Sequence, residues 1–141
     1  SIKSDKSFEC DVSKSSNELN SIEDMFKKIS KIWNEIDFVV HALAYSDKEE
    51  LKGKYVNCSR ENFLNSLDIS AFSFTRVAKS ALPLMSSNGG SLLTLSYLGA
   101  ERTTPNYNVM GVAKSALEAS IKYLAMDLDD HQLQDPNYSM V

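Results

Sequence analysis

Apolar positions along this chain change their spacing from one stretch to the next, and the changes mark out elements. Residues 7–12 (SFECDV) form a short half-apolar run ending in an aspartate, which predicts a strand with a turn after it. Residues 17–33 carry Ile22, Met25, Phe26, Ile29, Ile32 and Trp33 at helical spacing, while Glu23, Lys27, Lys28 and Lys31 fall away from that stripe. The stripe reads as core and the opposite side as solvated. Residues 36–41 (IDFVVH) centre on Phe38, Val39 and Val40, the pattern of a fully buried strand covered by that helix. Residues 47–57 are polar and long enough for a surface flap holding one helical turn, with Leu51 as the one residue that looks buried.

A second helix starts near Ser59, a good N-cap, and carries Phe63, Leu64, Leu67, Phe72, Phe74, Val77, Ala78, Ala81 and Leu82 before Pro83 disturbs its last turn. Apolar side chains spread around much of this helix, which predicts burial against more than one neighbour. The stretch that organises the chain is 91–126. Its apolar run from Leu92 to Leu95, bounded by Asn88, Gly89 and Gly90 before and Gly99 after, is too short for a helix and reads as a buried strand. Beyond Pro105 the period lengthens: Val109, Met110, Val112, Ala113, Ala116, Leu117, Ser120, Ile121 and Leu124 predict a helix over 107–127.

Strand, helix, strand, helix, strand, helix is the order of a parallel sheet with right-handed crossovers, hence an α/β chain whose ligands bind beyond the carboxyl ends of the strands. Those ends are Asp11, the segment His41 to Tyr45, and Ser96 with Tyr97. Ala42 and Ala44 are small enough for a ligand to approach the backbone. His41 reads as a strand-end histidine with its hydrogen bonds satisfied rather than as a base.

Tyr107 and Lys114 lie in the first turns of the last predicted helix, seven residues apart. That is just under two turns, so they share a face with Cα atoms about 10 Å apart along the axis. A phenol beside an ammonium has its ionised form stabilised, which lowers its pKa and makes it a better proton donor to a carbonyl oxygen becoming an oxyanion. Spacing alone decides little, because Tyr45 and Lys52 have the same separation. Context separates the pairs: Tyr107 follows a strand and loop and enters a long apolar-faced helix, whereas Tyr45 to Lys52 sits in a polar segment ending at Gly53. The bland alternative for Tyr107 is a helix-start tyrosine packed on the sheet.

Length and composition narrow the picture. The chain has 141 residues, enough for one domain with a core, and its 43% hydrophobic and 24% charged residues are ordinary for a globular protein. A net charge of -4 and no basic face with interleaved aromatics argue against a nucleic-acid partner. Cys10 and Cys58 make no disulfide framework and no zinc spacing, which fits a reducing cytoplasm. His41 and His131 lack a second candidate ligand, so no metal is expected. No apolar stretch is long enough to span a bilayer, and the start at Ser1 is polar rather than signal-like.

The run LTLSYLGAERTTPNYNVMGVAKSALEAS resembles the signature region of the enoyl-acyl-carrier-protein reductases, an NADH-dependent branch of the short-chain dehydrogenase/reductase superfamily. Tyr97, Tyr107 ten residues on and Lys114 seven further on carry the resemblance, with NYNVMG around the second tyrosine. A generic carbonyl-reducing member would have a serine thirteen residues before the helix tyrosine, where this chain has Thr94. The resemblance runs from about Phe8 to about Leu128, leaving 129–141 as a divergent tail. It implies a three-layer Rossmann-like fold with helices on both faces of the sheet, and a single partial domain over 1–141 truncated at both ends.

The resemblance also implies an activity, reduction of the trans-2 double bond of enoyl thioesters on acyl carrier protein by NADH in fatty acid synthesis. Tyr107 would hydrogen-bond the thioester oxygen, Lys114 would bind the nicotinamide ribose and acidify Tyr107, and Tyr97 would stand beside the acyl chain near the same oxygen. Asp11 and Val12 would lie against the adenine, although a strand-end aspartate capping a turn is the plainer reading of Asp11. Leu43 would contact the cofactor and Ser46 the acyl substrate, while Ala42 replaces the family's usual serine. Met110 would line the acyl slot, with core packing as its alternative. The helices bearing Tyr107 and Phe74 would pack in a homotetramer, for which Gly111, Ala113, Ser115, Ala116 and Ala119 allow close approach.

Two segments of the family pattern have no counterpart. None of the five glycines lies in the first fifty residues, where a glycine-rich turn would receive the pyrophosphate, and DDHQLQDPNYSMV lacks the strand and loop expected after Leu128. The sequence therefore reads as a fragment of an enoyl reductase or as a shortened relative completed by a partner. A non-catalytic oligomerisation module and a reductase of ordinary ketones are the competing functions. Unpaired strand edges and bare apolar surface are expected to favour association.

Overall fold

A computed structural model describes residues 6–85 and 89–132. The expected tail and the turn residue Asn88 fall outside or at the edge of this range. Helix α1 (Ile22–Ile29) is started by Ser21, whose hydroxyl accepts from the backbone N–H of Asp24 at 3.2 Å, while the Asp24 carboxylate takes the N–H of Asn20 at 2.8 Å. It is shorter than the periodicity over 17–33 predicts. The backbone tightens into turns after Ile29, and Ile32 and Trp33 are consequently half-exposed rather than core.

Strand β1 (Phe38–His41) and strand β2 (Ser91–Thr94) pair in parallel, with Phe38 opposite Ser91 and His41 opposite Thr94. The connection between them is helical: α2 (Arg60–Leu67), one π turn (Asp68–Phe72), α3 (Ser73–Ala81) and a short 3-10 turn containing Pro83. Ser59 caps α2 as predicted, its hydroxyl accepting from Asn62 N–H at 3.1 Å. The final helix α4 (Asn108–Gln132) begins one residue later than expected and runs past Asp127.

The core joins α1, α3, α4 and the sheet through Ile22, Phe26, Phe74, Val77, Ala78, Ala81, Leu92 and Leu117. The Rossmann-like α/β class expected from sequence is present. Among the described residues, however, only one face of the two-stranded sheet is covered. His41 and Leu92 point into the core, but Phe38 is 64% and Val40 52% exposed, and Leu93 and Leu95 on the same face are also exposed. The expectation of a fully buried Phe38-Val39-Val40 strand therefore fails: alternation sends Val39 inward and its neighbours toward solvent.

Residues 7–12 form no strand. With no described neighbour to pair with, their backbone is irregular, and the N–H of Asp11 instead reaches the carbonyl of Asn20 at 2.8 Å. The α2–α3 connection also differs in kind from its prediction. Phe74, Val77, Ala78 and Ala81 are buried as predicted, but Asn62, Ser66, Ser70 and Ser73 are buried beside them, while Leu64 and Phe72 are exposed. Small side chains let the first part of this connection lie close to α4 and Ser73 lie beside β1, and each hydroxyl finds a hydrogen-bond partner, as burial requires.

Candidate active site

The carboxyl ends of β1 and β2 and the first turns of α4 meet at one edge of the sheet. The chain leaving β2 passes through Leu95 to Tyr97 and turns at Leu98 to Ala100, directly beneath the start of α4. Contact is tight enough to require glycine. A Cβ on Gly99 would lie 2.3 Å from Cδ1 of Tyr107, and one on Gly111 would lie 2.8 Å from the carbonyl oxygen of Gly99. These two glycines seat the Tyr107 ring against the turn. The sequence marked Gly99 only as a strand boundary and Gly111 only as a small interface position.

Tyr107 itself sits between Asn106 and Asn108, whose φ angles are +56° and +36°. Asparagine is among the residues that tolerate this left-handed region. The bracketing turns the Tyr107 ring toward Tyr97, with ring centroids 4.7 Å apart and planes tilted by 49°. The edge thus brings together two of the three residues expected to work on the thioester oxygen.

Lys114 takes a different direction. It is only 5% exposed, and its ammonium donates to the carbonyl of Leu95 at 2.6 Å, just beyond β2. No hydrogen bond joins it to Tyr107 among the described residues. Burial lowers its pKa, and no neighbouring carboxylate offsets that effect. The pKa of Tyr107 is raised, first by burial and then by the charge of Tyr97. The ammonium of Lys114 is held by the Leu95 carbonyl and does not offset that rise. The consequence is a phenol that stays protonated and remains a donor.

The remaining candidates are spread around this edge. Ser46 is half-buried and donates to Oδ1 of Asn62 at 3.2 Å, which also takes the N–H of Asp47 at 2.9 Å. Leu43 is half-buried beside the exposed Ala42 and Ala44. Met110 is buried, with the Ser70 hydroxyl 3.8 Å from its sulfur, so its environment is that of core packing. Asp11 is exposed and caps a turn by accepting from the N–H and hydroxyl of Ser13 at 3.0 and 2.7 Å, contacts that hold its pKa down. Val12 packs against the core cluster, and its carbonyl accepts from Arg76 at 2.8 Å. Neither Asp11 nor Val12 contacts the Tyr107 site.

His41 behaves as expected. Its Nε2 lies 2.8 Å from Ser73 Oγ and its Nδ1 2.9 Å from Thr94 Oγ1. Because Ser73 donates onward to the Ile69 carbonyl at 2.6 Å, Nε2 is the nitrogen that carries hydrogen and Nδ1 accepts. Burial, and secondarily the charge of Lys114, lower its pKa and keep the ring neutral. Thr94, at the position of the serine in carbonyl-reducing relatives, spends its hydroxyl on this histidine and its backbone. Among the described residues no cluster of side chains could hold a metal ion, and no helix is long and apolar enough to cross a membrane.

Parallel strands joined by a helical crossover, with Tyr107 just before the following helix and Lys114 within it, define a Rossmann-like α/β chain. A profile described as Enoyl-(Acyl carrier protein) reductase matches residues 1–134. An NADH-dependent enoyl-[acyl-carrier-protein] reductase of Rhizobium meliloti (strain 1021) is 52% identical over 125 residues, covering 89% of this chain and 44% of the relative. The crystal structure of the reductase from Anaplasma phagocytophilum, in complex with NAD, superposes with a TM-score of 0.80 at 58% identity, covering 87% of this chain and 45% of that one. FabI from Candidatus Liberibacter asiaticus superposes at 0.82 with 44% identity, over 93% and 47% of the two chains. The chain belongs to the enoyl-(acyl carrier protein) reductase family, and it spans about half the length of the curated relatives it matches.

Proposed function

We propose that this chain carries the tyrosine–lysine half of an NADH-dependent enoyl-acyl-carrier-protein reductase site, acting on trans-2-enoyl thioesters in fatty acid synthesis. The observation that carries the reading is the meeting of Tyr97 and Tyr107, ring centroids 4.7 Å apart, at the strand edge where the Lys114 ammonium lies. The residues fit a dinucleotide at its nicotinamide end. Among the described residues Lys114 is a buried ammonium with a single protein acceptor, the Leu95 carbonyl, and its remaining N–H groups are suited to ribose hydroxyls. Leu43 would flank the cofactor, and Asp11 with Val12 would meet its adenine end.

When bound, NADH supplies the hydride that reduces the β-carbon of the enoyl group. Charge then gathers on the thioester oxygen, and Tyr107 would donate its O–H there, an interaction that strengthens only as charge develops. Its raised pKa suits this work, since the phenol is in the donating form across the neutral range. Tyr97 would wall the acyl slot beside that oxygen, with Ser46 and Met110 further along it. The commitment of Thr94 to His41 supports the enoyl reading over a ketone reductase, which would need a free hydroxyl at that position.

The acyl-carrier-protein-linked substrate, the cytoplasmic setting, the extent of the domain over 1–141 and a homotetramer belong to the same reading. Exposed Tyr123 and Met126 on α4 support helix-to-helix association. The test is NADH binding followed by enhanced nicotinamide fluorescence, with Lys114→Ala as control, then consumption of a trans-2-enoyl thioester. Saturable binding weakened by Lys114→Ala, with turnover abolished by Tyr107→Phe, is the expected result. A folded chain that assembles but binds no NADH would favour the non-catalytic module instead.

A further inference from the structure

We propose that Asn108 is a positioning residue whose side-chain amide fastens the 47–57 loop to the first turn of α4 and so shapes the cleft beside Tyr107, the residue that would meet the thioester oxygen. The inference rests on the reading of Tyr107 given above. Three carbonyl oxygens of one loop surround Nδ2 of Asn108: Glu50 at 3.2 Å, Leu51 at 3.1 Å and Gly53 at 3.4 Å. A ring of carbonyls accepts only a donor, which a primary amide supplies and a carboxylate does not. The φ of +36° at Asn108 is a costly backbone geometry that persists where surroundings over-determine it. Here the three carbonyls do so.

The loop is tied down at its other points as well. The Glu50 carboxylate accepts from the N–H and hydroxyl of Ser59 at 2.8 and 2.7 Å and from Asn62 at 3.2 Å. Asn62 in turn holds Ser46 and Asp47. Glu50 and Asn62 therefore anchor the loop to α2, and Asn108 alone among these contacts joins it to the helix that bears Tyr107. Just past the latch, Tyr55 lines a cleft of about 350 Å³ together with Tyr107, Asn108 and Gly111. Releasing Asn108 would let Tyr55 swing away and widen the cleft while leaving Lys114, held at Leu95, where it is.

Two variants of this chain separate the latch from general stability. Asn108→Gly removes the amide and relieves the positive φ, whereas Asn108→Asp keeps the backbone tolerance and sets a carboxylate against three carbonyls. Limited trypsin digestion reads the loop directly through cleavage after Lys52 and Lys54. Ligand-observed NMR reads binding of a trans-2-butenoyl pantetheine thioester, with NADH binding as the internal reference and an unchanged circular dichroism spectrum as the check on folding. Both variants are expected to speed cleavage at least tenfold and weaken thioester binding about tenfold, with NADH affinity held within twofold. Unchanged cleavage, or equal losses for thioester and NADH, would overturn the positioning role. If the unmodified chain bound NADH but no thioester, the substrate reading itself would fall and the inference with it.

Discussion

Arg76 makes a cross-link between α1 and α3 that carries charge on both sides, and it also ties down the chain before α1. Its guanidinium contacts the Glu23 carboxylate at 3.2 and 2.8 Å and donates to the carbonyls of Val12 and Lys14 at 2.8 and 2.7 Å. The pairing pulls the Glu23 pKa down from its ordinary 4.5 to about 2, chiefly through the Arg76 hydrogen bond. Such a displacement corresponds to at most about 3 kcal/mol. Because 25% of the Glu23 side chain and 12% of that of Arg76 remain exposed, solvent reduces the figure to about 2 kcal/mol. Arg76→Met removes that term and strands two carbonyls, so a loss of about 2–3 kcal/mol is expected in urea unfolding, or about 8 °C in Tm. The sign with pH is fixed: a carboxyl whose folded pKa is depressed stabilises above its unfolded value, and that stability disappears as pH falls from 4.5 toward 2. The gap between the parent chain and Arg76→Met should therefore be full at pH 6 and shrink near pH 2 to the part owed to the Val12 and Lys14 carbonyls. A gap below about 0.5 kcal/mol at pH 6, or one that ignores pH, would refute the reasoning.

Three further outcomes follow from the geometry. Gly99→Ala would drive a Cβ into the Tyr107 ring, displacing it from Tyr97; thioester turnover should fall at least tenfold while circular dichroism is unchanged, and full activity would count against the packing argument. The neutral, buried His41 has a folded pKa below its ordinary 6.5, so the stability it lends is complete above that value and declines as pH falls below it. Denaturation at pH 7.5 and pH 5.5 should show this decline in the parent and not in His41→Gln, which is itself about 1–3 kcal/mol less stable through lost hydrogen bonds. Val40→Lys with Leu95→Lys should reduce concentration-dependent association of the bare sheet face; a sedimentation coefficient that never varied with concentration would sink that idea.

Much of the backbone plan was legible because it depends on local rules. The apolar run from Leu92 to Leu95 and the helical spacing from Val109 to Leu124 each correspond to an element at about the predicted place, and Ser59 caps its helix. What misled was the equation of apolar with buried. Phe38 and Val40 read as core, yet the sheet side they occupy has no described neighbour, and burial is a property of neighbours rather than of residue type. The reverse error falls on Glu23, which reads as solvated beside Lys27 but meets Arg76, 53 positions away. Nothing periodic in either helix announces that pair.

The site shows where sequence reasoning stops and geometry must take over. The seven-residue interval puts Lys114 in α4 but leaves Tyr107 one residue before its start, and spacing fixes only where side chains begin. Their ends are directed by partners that lie outside the helix. Gly99 yields space for the Tyr107 ring, and the Leu95 carbonyl captures the lysine. With the ammonium drawn to the strand, the phenol loses the charge expected to acidify it and stays a protonated donor. A ribose bound at Lys114 would compete with Leu95 for its hydrogens, so under the proposed function the lysine and tyrosine need not touch: one would hold the nucleotide and the other would meet the oxygen. On this argument Lys114→Met should weaken NADH binding far more than it shifts the Tyr107 phenol, read by its absorbance at alkaline pH. A large upward move of that titration in Lys114→Met would restore the direct relay that the seven-residue spacing first suggested.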